Sequence, residues 1–298
     1  MDTKELWTRD FVTVSVINFL VFLVHLLLMV IIAFYAIDKF HATTSVAGLV
    51  ASIFIIGALI GRFATGRFIE DIGNKRVLIV GTIFFITTVV LYFAAITLPL
   101  LIIIRLLHGI AHGVTSTATG TIVAKIIPAG KRGEGIGYYG MSIILASAIG
   151  PFMGILLLQH VDFKMIFLVT SILAVVVFFI SFVVNEPACN LPEQNEIKAA
   201  KKFQLSNFFE FKALPISIIA LIIGFSGSIV IAFISLYTKE VHLEEAASFY
   251  FVISAIASLI SRPFAGRLFD LRGENFVVYP CLFIYAIGML LFSQANHG

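Results

Sequence analysis

Apolar residues run through this chain in long unbroken stretches, and polar residues gather in short gaps between them. Nine stretches, near 11–37, 45–65, 77–97, 99–124, 136–158, 165–184, 214–237, 247–265 and 276–295, each approach or exceed the roughly 20 residues that carry a helix across the hydrocarbon core of a bilayer. The gaps hold nearly every charge, with Gly, Pro, Asp and Asn as punctuation. Barrel strands alternate apolar and polar positions over about 10 residues, whereas these stretches are continuously apolar. The pattern predicts nine transmembrane helices. No small-residue cleavage site follows a short apolar region at the N-terminus, so no removable signal peptide is expected.

Composition narrows the class further. Of 298 residues 60% are hydrophobic and 12% charged, and mean hydropathy is +1.06. A soluble domain of this size cannot keep so much apolar surface from water, and the chain is far too rich in Ile, Leu, Val and Phe for disorder. The expected fold class is an all-α membrane protein. The net charge of +3 gives no reason to expect a nucleic-acid partner, and no obligate protein partner is evident.

The positions of the cations predict an orientation. Lys4 and Arg9 precede the first span. Arg62, Arg67, Lys75 and Arg76 lie around the second connection, and Lys125, Lys131 and Arg132 around the fourth. Lys198, Lys201, Lys202 and Lys212 occupy the sixth, and Arg262, Arg267 and Arg272 the eighth. The opposite side has only Lys39, Lys164 and Lys239. Positive charge stays cytoplasmic, so the N-terminus is expected inside and Gly298 outside, in a multi-pass protein of the cell (inner) membrane. Cys189 and Cys281 then fall in the linker and in the ninth span, with no spacing for a disulfide or a metal site.

An internal repeat organises the chain. Ile60-Gly-Arg-Phe-Ala-Thr-Gly66-Arg-Phe-Ile-Glu70-Asp-Ile-Gly73 aligns without gaps on Ile260-Ser-Arg-Pro-Phe-Ala-Gly266-Arg-Leu-Phe-Asp270-Leu-Arg-Gly273. A polar stretch from Asn185 to Pro215 separates the copies. The expected organisation is a six-helix bundle over 1–184, a cytoplasmic linker over 185–213, and three helices over 214–298.

Gly66-x-Phe68-x-Glu70-x-x-Gly73-x-Lys75-Arg76 resembles the loop signature between helices 2 and 3 of the major facilitator superfamily, and Gly266-x-Leu268-x-Asp270-x-x-Gly273 its second-half copy. Arg105-x-x-His108-Gly109 is similar to the family's intramembrane Arg-x-x-Gln-Gly element. Gly150-Pro151-x-x-Gly154 resembles the motif of its antiporters and exporters. Three positions depart from the pattern: Glu70 replaces the usual Asp, Asp71 stands where Arg or Lys is preferred, and Asn74 where a basic residue is common. The resemblance implies alternating access between two bundles, with the loop around Gly66–Arg76 acting as a conformational latch. It also implies twelve spans, so the second bundle is expected to be incomplete. Without its last three helices the chain alone is not expected to catalyse coupled flux, and Ser226-Gly227-Ser228 is a candidate for a face meant for protein contact.

The candidate pathway residues follow from helical geometry. At 100° per residue Arg105, His108, His112, Thr115, Ser116 and Thr119 fall on one stripe, edged by Gly109 and Gly113. A charge within a span costs roughly 2.5–3.5 kcal/mol on insertion scales and rarely faces lipid. The stripe is therefore expected either to line a polar cavity or to hold Arg105 as a buried structural group. In the first span His25 is central, with Asn18 seven residues earlier on the same face. All 17 acids sit in loops or at span ends, so proton coupling would fall to histidine, whose ordinary pKa is about 6.5. In Gly150-Pro151-x-x-Gly154, proline removes a backbone hydrogen bond and the glycines leave a groove for a neighbouring helix.

No phosphate-cradling loop, catalytic triad, paired carboxylates or metal-ligand spacing appears, so neither an enzyme nor a cofactor is expected. The expected partners are membrane lipid, a small-molecule substrate and protons, with the proton gradient as energy source. Efflux of small amphipathic or organic compounds is the leading expectation. A nutrient symporter of the same fold and a transport-inactive truncated product are the alternatives.

Overall fold

The computed structural model describes residues 5–185, 211–240 and 244–294. Its helices are α1 (Arg9–Phe40), α2 (Thr44–Ile72), α3 (Asn74–Val90, continued by a tight turn over Leu91–Ala94), α4 (Leu98–Ile126), α5 (Arg132–His160), α6 (Phe163–Val183), α7 (Leu214–Glu240), α8 (Glu244–Arg272) and α9 (Glu274–Ser293). Eight of them are long and apolar enough to cross a membrane. The side chains of α8, expected to span over 247–265, are described only in part. This is an all-α, multi-pass membrane protein, with no strand among the described residues.

Short polar residues start the helices. Thr8, Thr43 and Thr97 accept hydrogen bonds from the backbone N–H of Phe11, Val46 and Leu100, and Asp162 accepts one from Met165. These caps satisfy donors that have no intrahelical partner. Contacts divide the chain into two compact units, Met1–Gln194 and Asn195–Gly298. Most of the expected linker, including Cys189, lies outside the described residues.

In the first unit α1 is deeply enclosed: Val14, Ile17, Val21, Val24, Leu27, Leu28, Ile31 and Ile32 are all fully buried. Its helix pairings obey an exchange rule. Replacing each of α1–α3 by the helix three places later, and the reverse, turns α2–α4 into α5–α1, α3–α4 into α6–α1, and α2–α3 into α5–α6. The pairs α1–α4 and α3–α6 map onto themselves. Each triplet has an odd number of spans, so the two triplets run in opposite senses and form an inverted repeat. Large apolar residues such as Ile55, Phe63, Phe152 and Phe179 face outward, as a lipid solvent permits.

Glycine decides how closely α2 and α4 approach. A Cβ on Gly57 or Gly61 would collide with the carbonyl oxygen of Leu106 or Ile110. One on Gly109 or Gly113 would collide with that of Phe54 or Ala58. Two Gly-x-x-x-Gly pairs thus face each other, backbone against backbone. On α5, which is helical through Pro151, Gly150 and Gly154 do the same against α1: a Cβ would lie 2.9 Å from Leu26 Cβ and 3.0 Å from Leu27 O, respectively.

The repeated motif differs in shape from the expected loop. α2 continues through Gly66 and Glu70 to Ile72, and α3 starts at Asn74. Gly73 alone forms the link, at φ 95°, ψ 138°. The apolar run stops near residue 65, but hydrogen bonding does not. A Cβ on Gly66 would meet nothing within 4 Å, so Gly66 makes no close helix approach. Gly273 links α8 to α9 in the same manner, at φ 82°. Nothing crowds Gly73, so Gly73→Val tests backbone strain alone. We expect a stability loss of about 1–3 kcal/mol, read as an earlier thermal loss of helical signal in detergent, and an unchanged melting profile would count against it.

In the second unit Ser226 Oγ and Tyr285 Oη share a hydrogen bond of 2.7 Å, which joins α7 to α9. The small-residue face of α7 is thus partly used within its own unit.

Candidate functional site

The polar side chains of α4 turn inward. Arg105, His108, Thr115 and Thr119 are fully buried and His112 is 2% exposed. Within the six-helix unit these residues lie against neighbouring helices. His25 from α1 is half-buried, the member of this group nearest the unit's surface.

Phe54 of α2 is the hub. His25 stacks on it at 3.8 Å between ring centroids, with planes 5° apart. His108 and His112 stand 5.1 and 5.2 Å away, and the Arg105 guanidinium carbon lies 4.6 Å from its ring centre. His25 and His112 are 5.1 Å apart. The backbone contact of α2 with α4 produces this convergence, because Gly109 packs directly beneath the Phe54 carbonyl. The arrangement gives a buried cation the attraction of an aromatic face.

Tyr92, in the turn after α3, closes the other side of the cluster. Arg105 Nη1 donates to its hydroxyl at 3.4 Å, and the hydroxyl lies 3.0 Å from His108 Nδ1. Arginine can only donate, so the tyrosine oxygen accepts from Arg105, and the direction of its bond with His108 Nδ1 follows the imidazole tautomer. Arg105 Nε and Nη2, His108 Nε2, His112 Nδ1 and His25 Nδ1 have no hydrogen-bond partner among the described residues. Such unpaired buried polar groups are rare and call for an explanation.

Asn18 does not join this cluster. Its Nδ2 donates to Ser142 Oγ at 2.7 Å, and its Oδ1 lies 3.4 Å from Thr119 Oγ1. Thr119 in turn accepts from the Tyr139 hydroxyl at 2.9 Å. A hydrogen-bonded network therefore ties α1, α4 and α5 together about two helical turns from His25. Asn18 and His25 share a face of α1 but sit at different depths.

In the segment around Gly73, Glu70 is exposed, and the ion pair runs from Arg67 to Asp71 at 3.5 Å. Lys75 Nζ donates to the Phe182 carbonyl at 3.2 Å, tying the start of α3 to the end of α6. Arg76 is exposed, and Gly266 and Asp270 lie within α8. No group of His, Cys, Asp and Glu among the described residues could hold a metal ion.

Comparison with known proteins agrees with this architecture. The family model described as Major Facilitator Superfamily matches residues 14–298. An uncharacterized MFS-type transporter of Methanocaldococcus jannaschii is 25% identical over 305 residues, covering 98% of this chain and 74% of its own length. Multidrug resistance protein 1 of Bacillus subtilis is 27% identical over 165 residues, covering 55% of this chain, and the match takes in 42% of that protein. The solved proton:xylose symporter XylE, bound to 6-bromo-6-deoxy-D-glucose, superposes with a TM-score of 0.51 at 17% identity. That match covers 59% of this chain and 45% of the symporter and is a likeness of fold.

Proposed function

The chain belongs to the major facilitator superfamily, and we propose that it serves as a secondary transporter expelling small amphipathic or organic compounds in exchange for protons. In this reading it sits in the cell membrane with its N-terminus in the cytoplasm, and alternating access moves the substrate. The observation that carries the reading is the buried cluster of His25, His108, His112 and Arg105 around Phe54. Imidazoles held at mid-span with open nitrogen positions can take and release a proton where no carboxylate is present. The efflux reading rests on the resemblance of Gly150-Pro151-x-x-Gly154 to the antiporter motif, and the relatives include both a multidrug resistance protein and a galactose-proton symporter.

His25 and His112 stand too close to each other and to Arg105 for both to be charged at once in a low-dielectric interior. They act as one proton site. In a transport-competent protein carrying both bundles, His112→Ala is expected to abolish the pH dependence of transport and leave membrane insertion intact, with His25→Ala behaving alike. The double variant should lose no more than either single one. The assay is movement of a fluorescent organic cation in membrane vesicles under an imposed pH gradient. Proton and dye flow in opposite directions support antiport. Flow in the same direction turns the reading to symport, and unaltered coupling in both single variants removes the histidines from the mechanism.

A further inference from the structure

A cavity of about 290 Å3 lies at one end of the six-helix unit, where α1 and α3 finish and α6 begins. It shares Tyr92 with the histidine cluster but opens elsewhere. We propose that this cavity binds the headgroup of a zwitterionic phospholipid, in a site separate from the transport pathway.

Its chemistry is two-signed. The last turn of α1 brings Asp38 and Lys39, and the first turn of α6 brings Asp162 and Lys164. Two of the four charges are already engaged. Lys39 Nζ donates to the Tyr35 hydroxyl at 2.7 Å and to the Ala95 carbonyl at 3.0 Å. Asp162 Oδ1 caps α6 by accepting from Met165 N at 3.0 Å. Asp38 and Lys164 remain, one at each helix end, and both are exposed. At the C-terminal end of α1 the electronegative backbone adds to Asp38 in favouring an ammonium. At the N-terminal end of α6 the Asp162 carboxylate already accepts from Met165 N, so Lys164 is the group left to meet a phosphate. Four charges that sum to zero give a purely anionic ligand no net attraction.

The floor is aromatic. Tyr35 packs edge-on against Phe163 and Phe167, at 5.0 and 5.1 Å, and Tyr92 stacks on Phe167 at 5.4 Å. The Tyr35 face already carries Lys39 Nζ, 5.1 Å from its centroid, so Phe93 and Phe163 are the lining rings left to meet an organic ammonium group beside Asp38.

Position and size identify the source of the headgroup. α1, α3 and α6 are membrane spans, so their ends lie at the level of the lipid headgroups. The volume is at the bottom of the roughly 300–1,000 Å3 usual for small-molecule pockets, enough for a headgroup. Phe93, on the lining, is 46% exposed and offers an apolar path outward for an acyl chain.

The test is lipid retention by the purified 298-residue chain in mild detergent, measured by native mass spectrometry. The probes are phosphatidylethanolamine, phosphatidylglycerol and water-soluble glycerophosphoethanolamine. Phosphatidylethanolamine should be retained best and the soluble headgroup hardly at all. Lys164→Gln and Asp38→Asn should each weaken retention about fivefold, Lys164→Arg should keep it, and Lys125→Gln, at the far end of α4, should change nothing. Helical circular dichroism of each variant separates loss of the site from loss of the fold. Equal retention of the anionic lipid, or undiminished retention by the Lys164→Gln/Asp38→Asn double variant, would overturn the proposal. Tight binding of glycerophosphoethanolamine would make the site one for a soluble zwitterion and overturn the lipid assignment.

Discussion

Replacing Gly109 with valine is expected to destabilise the six-helix unit by about 3 kcal/mol or more, at the upper end of what overpacking costs. The obstruction at this position is the Phe54 carbonyl oxygen, with Ala58 N close by. Backbone in a packed helix cannot rotate aside as a flexible side chain can, so relief requires α2 and α4 to separate. Separation removes the backing of Gly57, Gly61 and Gly113 in the same seam and draws Phe54 away from Arg105 and His25. Gly48 provides the contrast. It lies on α2, and a Cβ there meets nothing within 4 Å, so Gly48→Ala should be neutral or stabilise by up to about 1 kcal/mol through helix propensity. Thermal unfolding in detergent, followed by loss of helical signal, compares the two directly. Equal stability of the Gly109→Val and Gly48→Ala variants would show that the seam is not close-packed.

Arg105→Met is expected to separate stability from activity: the variant should be as stable as the parent or more so and, in a transport-competent protein carrying both bundles, inactive in transport. A guanidinium without full hydrogen bonding in a dry interior is costly. Replacing such a group with an apolar side chain of similar length is often neutral or stabilising by about 1–4 kcal/mol. The geometry favours that outcome here, because the tyrosine–histidine bond between Tyr92 and His108 survives without the arginine. No new buried orphan arises on either partner. If Arg105 instead holds the bundle together, the same substitution lowers the unfolding midpoint along with transport. Unfolding and vesicle transport measured on one preparation distinguish these roles. A destabilised variant would assign Arg105 to architecture.

How much of this was legible in the sequence depends on whether the signal is carried by one helix or by two. The stripe Arg105, His108, His112, Thr115, Ser116 and Thr119 follows from the turn angle of a single helix, and the structure buries all of it but Ser116, which is partly exposed. The spans themselves follow from length and hydropathy, with ends displaced wherever an amphipathic turn extends the helix, as at Gly66–Ile72. Phe54 and Tyr92 could not be singled out. Each is an aromatic residue on another helix, Phe54 is one of 30 phenylalanines, and its role exists only through its neighbours. Asn18 illustrates the complementary limit: face can be read from spacing, but depth needs partners, and Ser142 lies 124 positions away. Gly57-x-x-x-Gly61 was a different case. The spacing was present in the chain as a known helix-contact pattern, and its partner Gly109-x-x-x-Gly113 was already in view.

The α2–α4 seam also bears on how the protein is made. Its halves are some fifty residues apart in the chain, and at about 5–20 residues per second of synthesis α4 follows α2 by several seconds. During that interval α2 has left the ribosome with Gly57 and Gly61 uncovered, because the backbone they pack against belongs to Leu106 and Ile110 of α4. The nascent α2 therefore carries an uncovered Gly-x-x-x-Gly surface into the membrane before α4 exists. Biogenesis becomes a race between elongation and collision with neighbouring chains, in which slow codons between residues 61 and 109 would favour mispaired polysomal products.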